Sequence, residues 1–425
     1  MTSSSVAGIA GLAILGTAAS LLAPQAAAAG DLHWDTAKQF GAVSVRDRPR
    51  DGLQPDGVRI GNYVLLPEVG FRTTWNNDSR FATDSEARDF RHEFHAGFEL
   101  RSHLPRHLLG VKAEIRAGAE RDTDELRDID TRVRMIGRLD IDHAHSLFGE
   151  AAYVVQHDDE IDAEQPANAR RASKLAVTRL EGGFRRSAGR VDAAIGARYT
   201  RFNYEDAQSL DGDVLDQDAR DVTQIDPFLQ VGWRISPGYR LFGEVSGRLQ
   251  ENRGDGRISR DAEGLQAGVG LEFELSPLVR VMMKGGYFQQ DYLQAGLVDI
   301  STPVYDVHLD WYVTPLVSLT FGTKRSVDAT TFGDASGRVV TSYNARLDYE
   351  MWRNLILTGE ASVRLSDFIG EDRSDTIWSG RLGVEYTLSK NWLVSLGYEH
   401  QQLTSSESAF DRDVDKITIG AKYRY

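Results

Sequence analysis

Apolar and polar residues alternate along most of this chain. From Val58 onward one unit repeats: about ten alternating residues, a turn or loop, then another alternating segment. In DFRHEFHAGFEL, Phe90, Phe94, Ala96, Phe98 and Leu100 share one face of an extended strand, and His92 is the polar exception. In GLQAGVGLEFEL, Leu265, Ala267, Val269, Leu271, Phe273 and Leu275 oppose Gln266, Gly268, Gly270, Glu272 and Glu274. In SYNARLDYEM, Tyr343, Ala345, Leu347, Tyr349 and Met351 oppose Ser342, Asn344, Arg346, Asp348 and Glu350. The last segment, KITIGAKYRY, keeps the pattern to its final residue.

The connections separate the folds that such strands allow. They alternate between short and long. Short ones include Ser102–His107, Asp142–Ser146, Arg186–Gly189, Ser236–Gly238, Ser276–Pro277, Thr314–Pro315, Trp352–Arg353 and Ser389–Asn391. Long polar ones include Asn76–Arg88, His157–Ser173, Asn203–Asp221, Ser326–Gly337, Ser366–Asp375 and Gln401–Asp411. Transmembrane barrels of the outer-membrane type have tight periplasmic turns and longer outer loops. The chain therefore reads as an all-β, transmembrane, antiparallel up-and-down β-barrel of about 18 strands, with short periplasmic turns and long extracellular loops. A soluble sandwich also alternates, but it needs two faces buried against each other.

Hydrocarbon sharpens that reading, because only helices and closed barrels pair every backbone group there. The apolar faces then point to lipid and the polar faces to the lumen. Trp233, Tyr239, Trp311 and Trp392 fall near short turns, and Trp75 and Trp378 near long loops. They form two candidate aromatic belts at the headgroup layers. Barrel closure pairs the last strand with the first. Ile417, Ile419, Ala421, Tyr423 and Tyr425 would then face lipid, in a pattern resembling the insertion signal read by barrel-assembly machinery.

Composition removes other classes. The 425 residues carry a formal charge of -14, which argues against nucleic acid as a partner. The chain has no cysteine, so disulfides, thiolate metal sites and cysteine nucleophiles are excluded. Residues 1–29 read as a signal peptide: Val6 to Ala23 is apolar and small, Pro24 breaks the run, and Ala26 to Ala29 offers a cleavage site. Its n-region, MTSSS, lacks the usual basic residue. Residues 30–57, with RDRPRDGLQPDG, read as a periplasmic segment, an extended linker or a small plug. Residues 58–425 read as the barrel.

The stretch PRDGLQPDGVRIGNYVLLPEVGFRTTWNNDSRFAT contains Pro55, Gly57, Val58, Arg59, Ile60 and Gly61, then Leu65, Leu66 and Pro67, then Asn77, Asp78, Phe81, Ala82 and Thr83. It resembles the first-strand region of the type 2 outer-membrane β-barrel porin family. That resemblance implies a cell outer-membrane location. Some members of the family are linked to exopolysaccharide export, and none supplies ligand-binding residues that transfer.

The polar faces carry both signs of charge. Candidate lumen residues are Arg116, Arg132, Arg134, Arg138, Arg198, Arg240, Arg248, Arg280, Lys284, Arg346, Arg364 and Arg381, with Glu244, Glu272, Asp310, Asp348, Glu360 and Glu385. They would guide a polar solute, or pair with one another across strands. Phe202, Phe242, Phe288 and Tyr312 would stack on sugar rings or pack a folded-in loop. The acidic loops DGDVLDQDARD and DDEIDAE lack the glycine and glutamate of a calcium loop and read as solvated. His143 and His145 share a short turn, and His92 and His95 face opposite sides of a strand, so neither pair forms a zinc site. No G-x-S-x-G elbow is present, and a barrel-embedded hydrolase ranks last.

The leading expectation is a non-enzymatic channel for hydrophilic solutes, with a secreted polysaccharide as candidate cargo and no cofactor. The alternative is a plugged barrel that scaffolds an envelope export machine. Expected partners are outer-membrane lipid and lipopolysaccharide, barrel-assembly machinery, and polysaccharide export proteins.

Overall fold

The computed structural model describes residues 44–77, 89–120, 128–157, 173–209, 211–253 and 258–425. The signal segment, residues 30–43, the motif positions Asp78, Phe81, Ala82 and Thr83, and the DDEIDAE loop lie outside them. The strands are β1 (Val58–Ile60), β2 (Tyr63–Asn76), β3 (Asp89–Ser102), β4 (Leu108–Glu120), β5 (Asp128–Asp140), β6 (His145–His157), β7 (Lys174–Ala188), β8 (Val191–Tyr204), β9 (Ala207–Gln208), β10 (Val214–Leu215) and β11 (Val222–Ser236). They continue as β12 (Tyr239–Asn252), β13 (Ala262–Ser276), β14 (Val279–Tyr292), β15 (Ile300–Thr314), β16 (Val317–Asp328), β17 (Gly337–Trp352), β18 (Leu355–Ile369), β19 (Ser374–Thr387), β20 (Trp392–Ser405) and β21 (Arg412–Arg424).

Leaving aside β1, β9 and β10, these strands form one closed, antiparallel, 18-stranded barrel. Each strand pairs with its sequence neighbour, and β8 pairs with β11 across the β9–β10 ribbon. The seam is β2 against β21, in register from Glu68↔Arg424 to Asn76↔Lys416. Past that seam, β1 takes over the same edge of β2, with Val58 opposite Leu65 and Ile60 opposite Tyr63. Among the described residues each of the 18 barrel strands thus has a neighbour on both sides, as hydrocarbon requires.

The turns explain why the hairpins close where they do. Ser276-Pro277-Leu278 and Thr314-Pro315-Leu316 place a fixed-φ proline first, and the preceding hydroxyl accepts the leucine N–H in each, at 3.2 Å. A register shift precedes both. At Pro237-Gly238, Gly238 takes φ +80, which a side chain would disfavour.

The outer face is apolar. Val269, Leu382, Ile419 and Ile195 are among its exposed large side chains. Exposure there is the reverse of soluble burial and fits a wall bathed in lipid. His92 lies flat against the Phe71 ring at 6.0 Å and shares a hydrogen bond with Thr73, which accounts for the polar exception on β3.

Several connections differ from expectation. The loop expected over Ser366–Asp375 shrinks to residues 370–373, because β18 and β19 both run further. Likewise β20 runs to Ser405, and Asn203–Asp221 holds the β9–β10 ribbon and a 3-10 turn at Asp218–Arg220. β7 runs to Ala188, which leaves only residues 189–190 as its turn. Ladder pairing needs backbone groups alone, whereas apolar alternation is needed only where lipid touches the wall. The ladder therefore outlasts the pattern that reveals it.

Candidate functional site

The polar faces line the inside of the barrel. Arg240 on β12 reaches Asp192 on β8, past the intervening β11, and Arg248 on β12 donates to the Val327 carbonyl on β16. A contact from β12 to β16, four strands along the wall, is possible only across a concave face.

This inner wall is a ladder of opposed charges. Arg116 pairs with Glu114 at 2.7 Å, Arg134 with Glu150 at 2.9 Å and Arg138 with Asp140 at 3.0 Å. Arg198 pairs with Glu181 at 2.8 Å, and Arg240 with both Asp192 and Glu272 at 2.6 and 2.8 Å. Arg248 meets Asp226 and Arg280 meets Glu274, each at 3.2 Å, and Lys284 meets Glu244. Arg346 bridges Asp348 and Glu360 at 2.8 and 2.7 Å, and Arg381 bridges Glu360 and Glu399 at 2.6 Å each. Asp310 accepts from Thr320 and shares a hydrogen bond with His308. Arg132 sits in a small groove with Glu114, Arg116 and Asp130. Arg364 lies between Ser342 and Ile377 in register. Some of these pairs lie within one strand, as at Arg116–Glu114 and Arg138–Asp140, and others join different strands.

The four inward aromatics divide. Phe288 packs in an apolar cluster with Ile300, Val304, Val327 and Val339. The members of that cluster are strand residues of β14 to β17, and Val327 and Val339 stand at the end of the β16–β17 hairpin. Phe242 instead lies over Gly270, whose added Cβ would fall 2.2 Å from the ring, and carries the Arg240 guanidinium at 5.1 Å. Tyr312 sits under Arg280 at 5.6 Å. Phe202 stands opposite Val222 and Val177 in the wall.

At the long-loop end the β16–β17 connection leans inward. Arg260, nearly fully buried, donates to the carbonyls of Ala335 and Gly333 at 2.9 and 2.8 Å. Arg373 is enclosed by Phe332, Phe368 and Phe410 at 4.0, 4.7 and 4.0 Å and pairs bidentately with Asp375. At the short-turn end, Trp233, Tyr239, Trp311 and Trp392 are exposed on the outer face, and Trp392 meets Tyr423 edge-on at 5.3 Å. Trp378 is exposed near the opposite rim, and Trp75, half-buried, stands opposite Ile417 and Phe90. Ile417, Ile419 and Tyr425 are exposed beside the seam, Ala421 is half-buried, and the Tyr425 N–H reaches Pro67 O at 3.1 Å.

Segment 44–57 runs along the inner wall at the short-turn end. Val45, almost wholly buried, donates its N–H to Ser318. Arg46 pairs with Asp348 at 2.7 Å and Glu385 at 2.9 Å, and Arg48 and Arg50 converge on Glu350. Lys390 holds Asp56, and Arg424 donates to Leu53 O. Burial pushes the Asp47 carboxyl above its ordinary value, with Asp310 and Asp348 adding to the shift.

Two groups with metal-type donors occur among the described residues: His400 with Asp413 and Asp415, and Asp206 with Asp216 and Asp218. In the first, Tyr398 and Asn77 already donate to Asp415. In the short turn, His145 and two backbone N–H groups bind Asp142, holding its carboxyl at about 2, so this histidine shapes a turn.

The profile of the family described as "Putative beta-barrel porin 2" matches residues 51–425. The chain belongs to that family. Solved structures with similar backbones include the outer membrane protein OpdK of Pseudomonas aeruginosa, at 12% identity and a TM-score of 0.43, with 85% of this chain and 99% of that one covered. OccAB4 of Acinetobacter baumannii shares 11% identity at a TM-score of 0.43, covering 89% and 100%. OpdQ of Pseudomonas aeruginosa shares 10% at 0.45, covering 86% and 99%. No curated protein matches the chain.

Within this porin-family barrel, Arg46, Arg48, Arg50, Arg260 and Arg373 were not singled out by sequence. Three arginines at alternate positions, ahead of any strand, were the available signal for the first group. For the inward hairpin the sequence carries no such signal: SVDATTFGDASG holds two acidic residues, as do DYLQAGLVDIST and QQLTSSESAFD.

Proposed function

We propose that this protein is a channel of the cell outer membrane that passes hydrophilic solutes, with its short turns in the periplasm and its long loops outside. The observation that carries this reading is the closed wall, apolar outside and charged inside. Such a wall needs lipid on one side and water on the other. Membership in a β-barrel porin family supports it. The mostly paired lumen charges would keep the interior wet for polar solutes, and the outer loops and rim would meet lipopolysaccharide. Barrel-assembly machinery would insert the chain through the β21 pattern. A secreted polysaccharide is the finer candidate for cargo, with export proteins as periplasmic partners.

Reconstitution of the purified barrel in planar bilayers tests this. Steady single-channel conductance is expected. A second reading, a plugged barrel that scaffolds an export machine, is favoured by the inward hairpin at one end and segment 44–57 at the other. A barrel that inserts but stays silent, even without residues 44–50, would exchange the first reading for the second.

A further inference from the structure

The Arg46 side chain occupies a site built by three adjacent strands. Its Nε donates to Asp348 Oδ1 at 2.7 Å, its Nη1 to both Glu385 oxygens at 2.9 and 3.0 Å, and its Nη2 to Thr358 Oγ1 at 2.6 Å. Asp348 comes from β17, Thr358 from β18 and Glu385 from β19. A guanidinium is planar and carries five donors, and this wall presents acceptors to each of its three nitrogens. Part of this site is held by the wall itself. Arg346 and Thr358 fix Asp348 from within the sheet, and Gly383 opposite Thr358 leaves the approach open.

The strap that brings Arg46 there is not part of the sheet. No residue of 44–57 lies in a strand, and side-chain ion pairs from Arg46, Arg48, Arg50 and Asp56 tie it to the wall. It can leave without breaking a ladder bond.

We propose that the Asp348–Thr358–Glu385 site binds small guanidinium-bearing solutes, with Arg46 as its built-in occupant, and that such a solute releases the strap by competition. The site rests on this geometry; its use in passage rests on the channel reading above.

The absence of cysteine gives a clean assay. Val45→Cys places one thiol where the docked strap buries it, and Ser44→Cys is the substitute should the first variant fold poorly. The reconstituted full-length barrel is labelled with a water-soluble maleimide while arginine amide is titrated. Sodium chloride and tetramethylammonium chloride at matched ionic strength are the controls. Arginine amide should raise the labelling rate about tenfold, as expected for a shift toward the undocked strap, with little change in either control salt. Adding Glu385→Gln should blunt the arginine effect, and adding Arg46→Ala should make labelling fast without any solute. Equal rates in arginine amide and control salts would overturn the proposal, as would fast labelling of the thiol with Arg46 in place and no solute. Conductance recorded in parallel separates the two readings. Arginine-dependent labelling in a silent barrel keeps the site and sinks the channel. Conductance without arginine-dependent labelling does the reverse.

Discussion

Gly268 and Gly286 face each other across β13 and β14 on the inner wall. A Cβ on Gly286 would fall 2.3 Å from Ala267 O and 2.8 Å from the Gly268 Cα, and those are backbone atoms that cannot swing aside. Gly380 also sits in the wall, with nothing within 4 Å of a Cβ. Gly286→Val should therefore cost about 1–3 kcal/mol through overpacking, while Gly380→Val should be near neutral. Thermal loss of the compact, heat-modifiable band on gels ranks the two, and equal loss would show that the close approach carries no weight. Alternation told which charges share a face, because period two is a local property. It could not tell that Arg46 meets Glu385, since 339 residues separate them and nothing near Arg46 encodes the partner.

At the scale of elements, strand faces were legible and loop conformations were not. Lipid imposes a pattern on a strand, whereas an inward-leaning loop is set by side chains from distant loops. Ile419 and Thr418 test the faces directly. Ile419 is exposed beside the seam, and Thr418 bonds to Thr74 on the other face of the same strand. An outward arginine deep in the bilayer costs about 2–4 kcal/mol, whereas a lumen position is wet. Ile419→Arg should lower the yield of assembled barrel, and Thr418→Arg should leave it near the parent's level. The opposite ranking would reverse the wall. For the loops, Arg373 is the clamp to test. Removing it leaves Asp375 without its bidentate partner and empties a box of three phenyl rings. Loss of one partner from a buried pair costs about 3–5 kcal/mol. Arg373→Ala should make the 329–336 and 406–411 connections sensitive to added protease while the barrel stays intact. Unchanged protease resistance would show that the clamp is dispensable.

For the whole molecule, on the channel reading, the balance of charges in the lumen would decide which ions it favours. Most wall arginines already have carboxylate partners, so little net field is left along the wall itself. The short-turn mouth is different. Asp348, Glu350 and Glu385 crowd there, and Arg46, Arg48 and Arg50 offset them. Replacing the three arginines with alanine removes three positive charges and leaves the carboxylates facing the pore. Rings of acidic side chains favour cations, and the effect weakens as salt shortens the screening length to about 10 Å at 0.1 M. The triple variant should therefore conduct more and shift its reversal potential toward cation selectivity in a potassium chloride gradient, most at low salt. The parent barrel should be only weakly selective under the same gradient. A reversal potential that ignores the substitution would place the strap outside the conduction path, even if the barrel conducts.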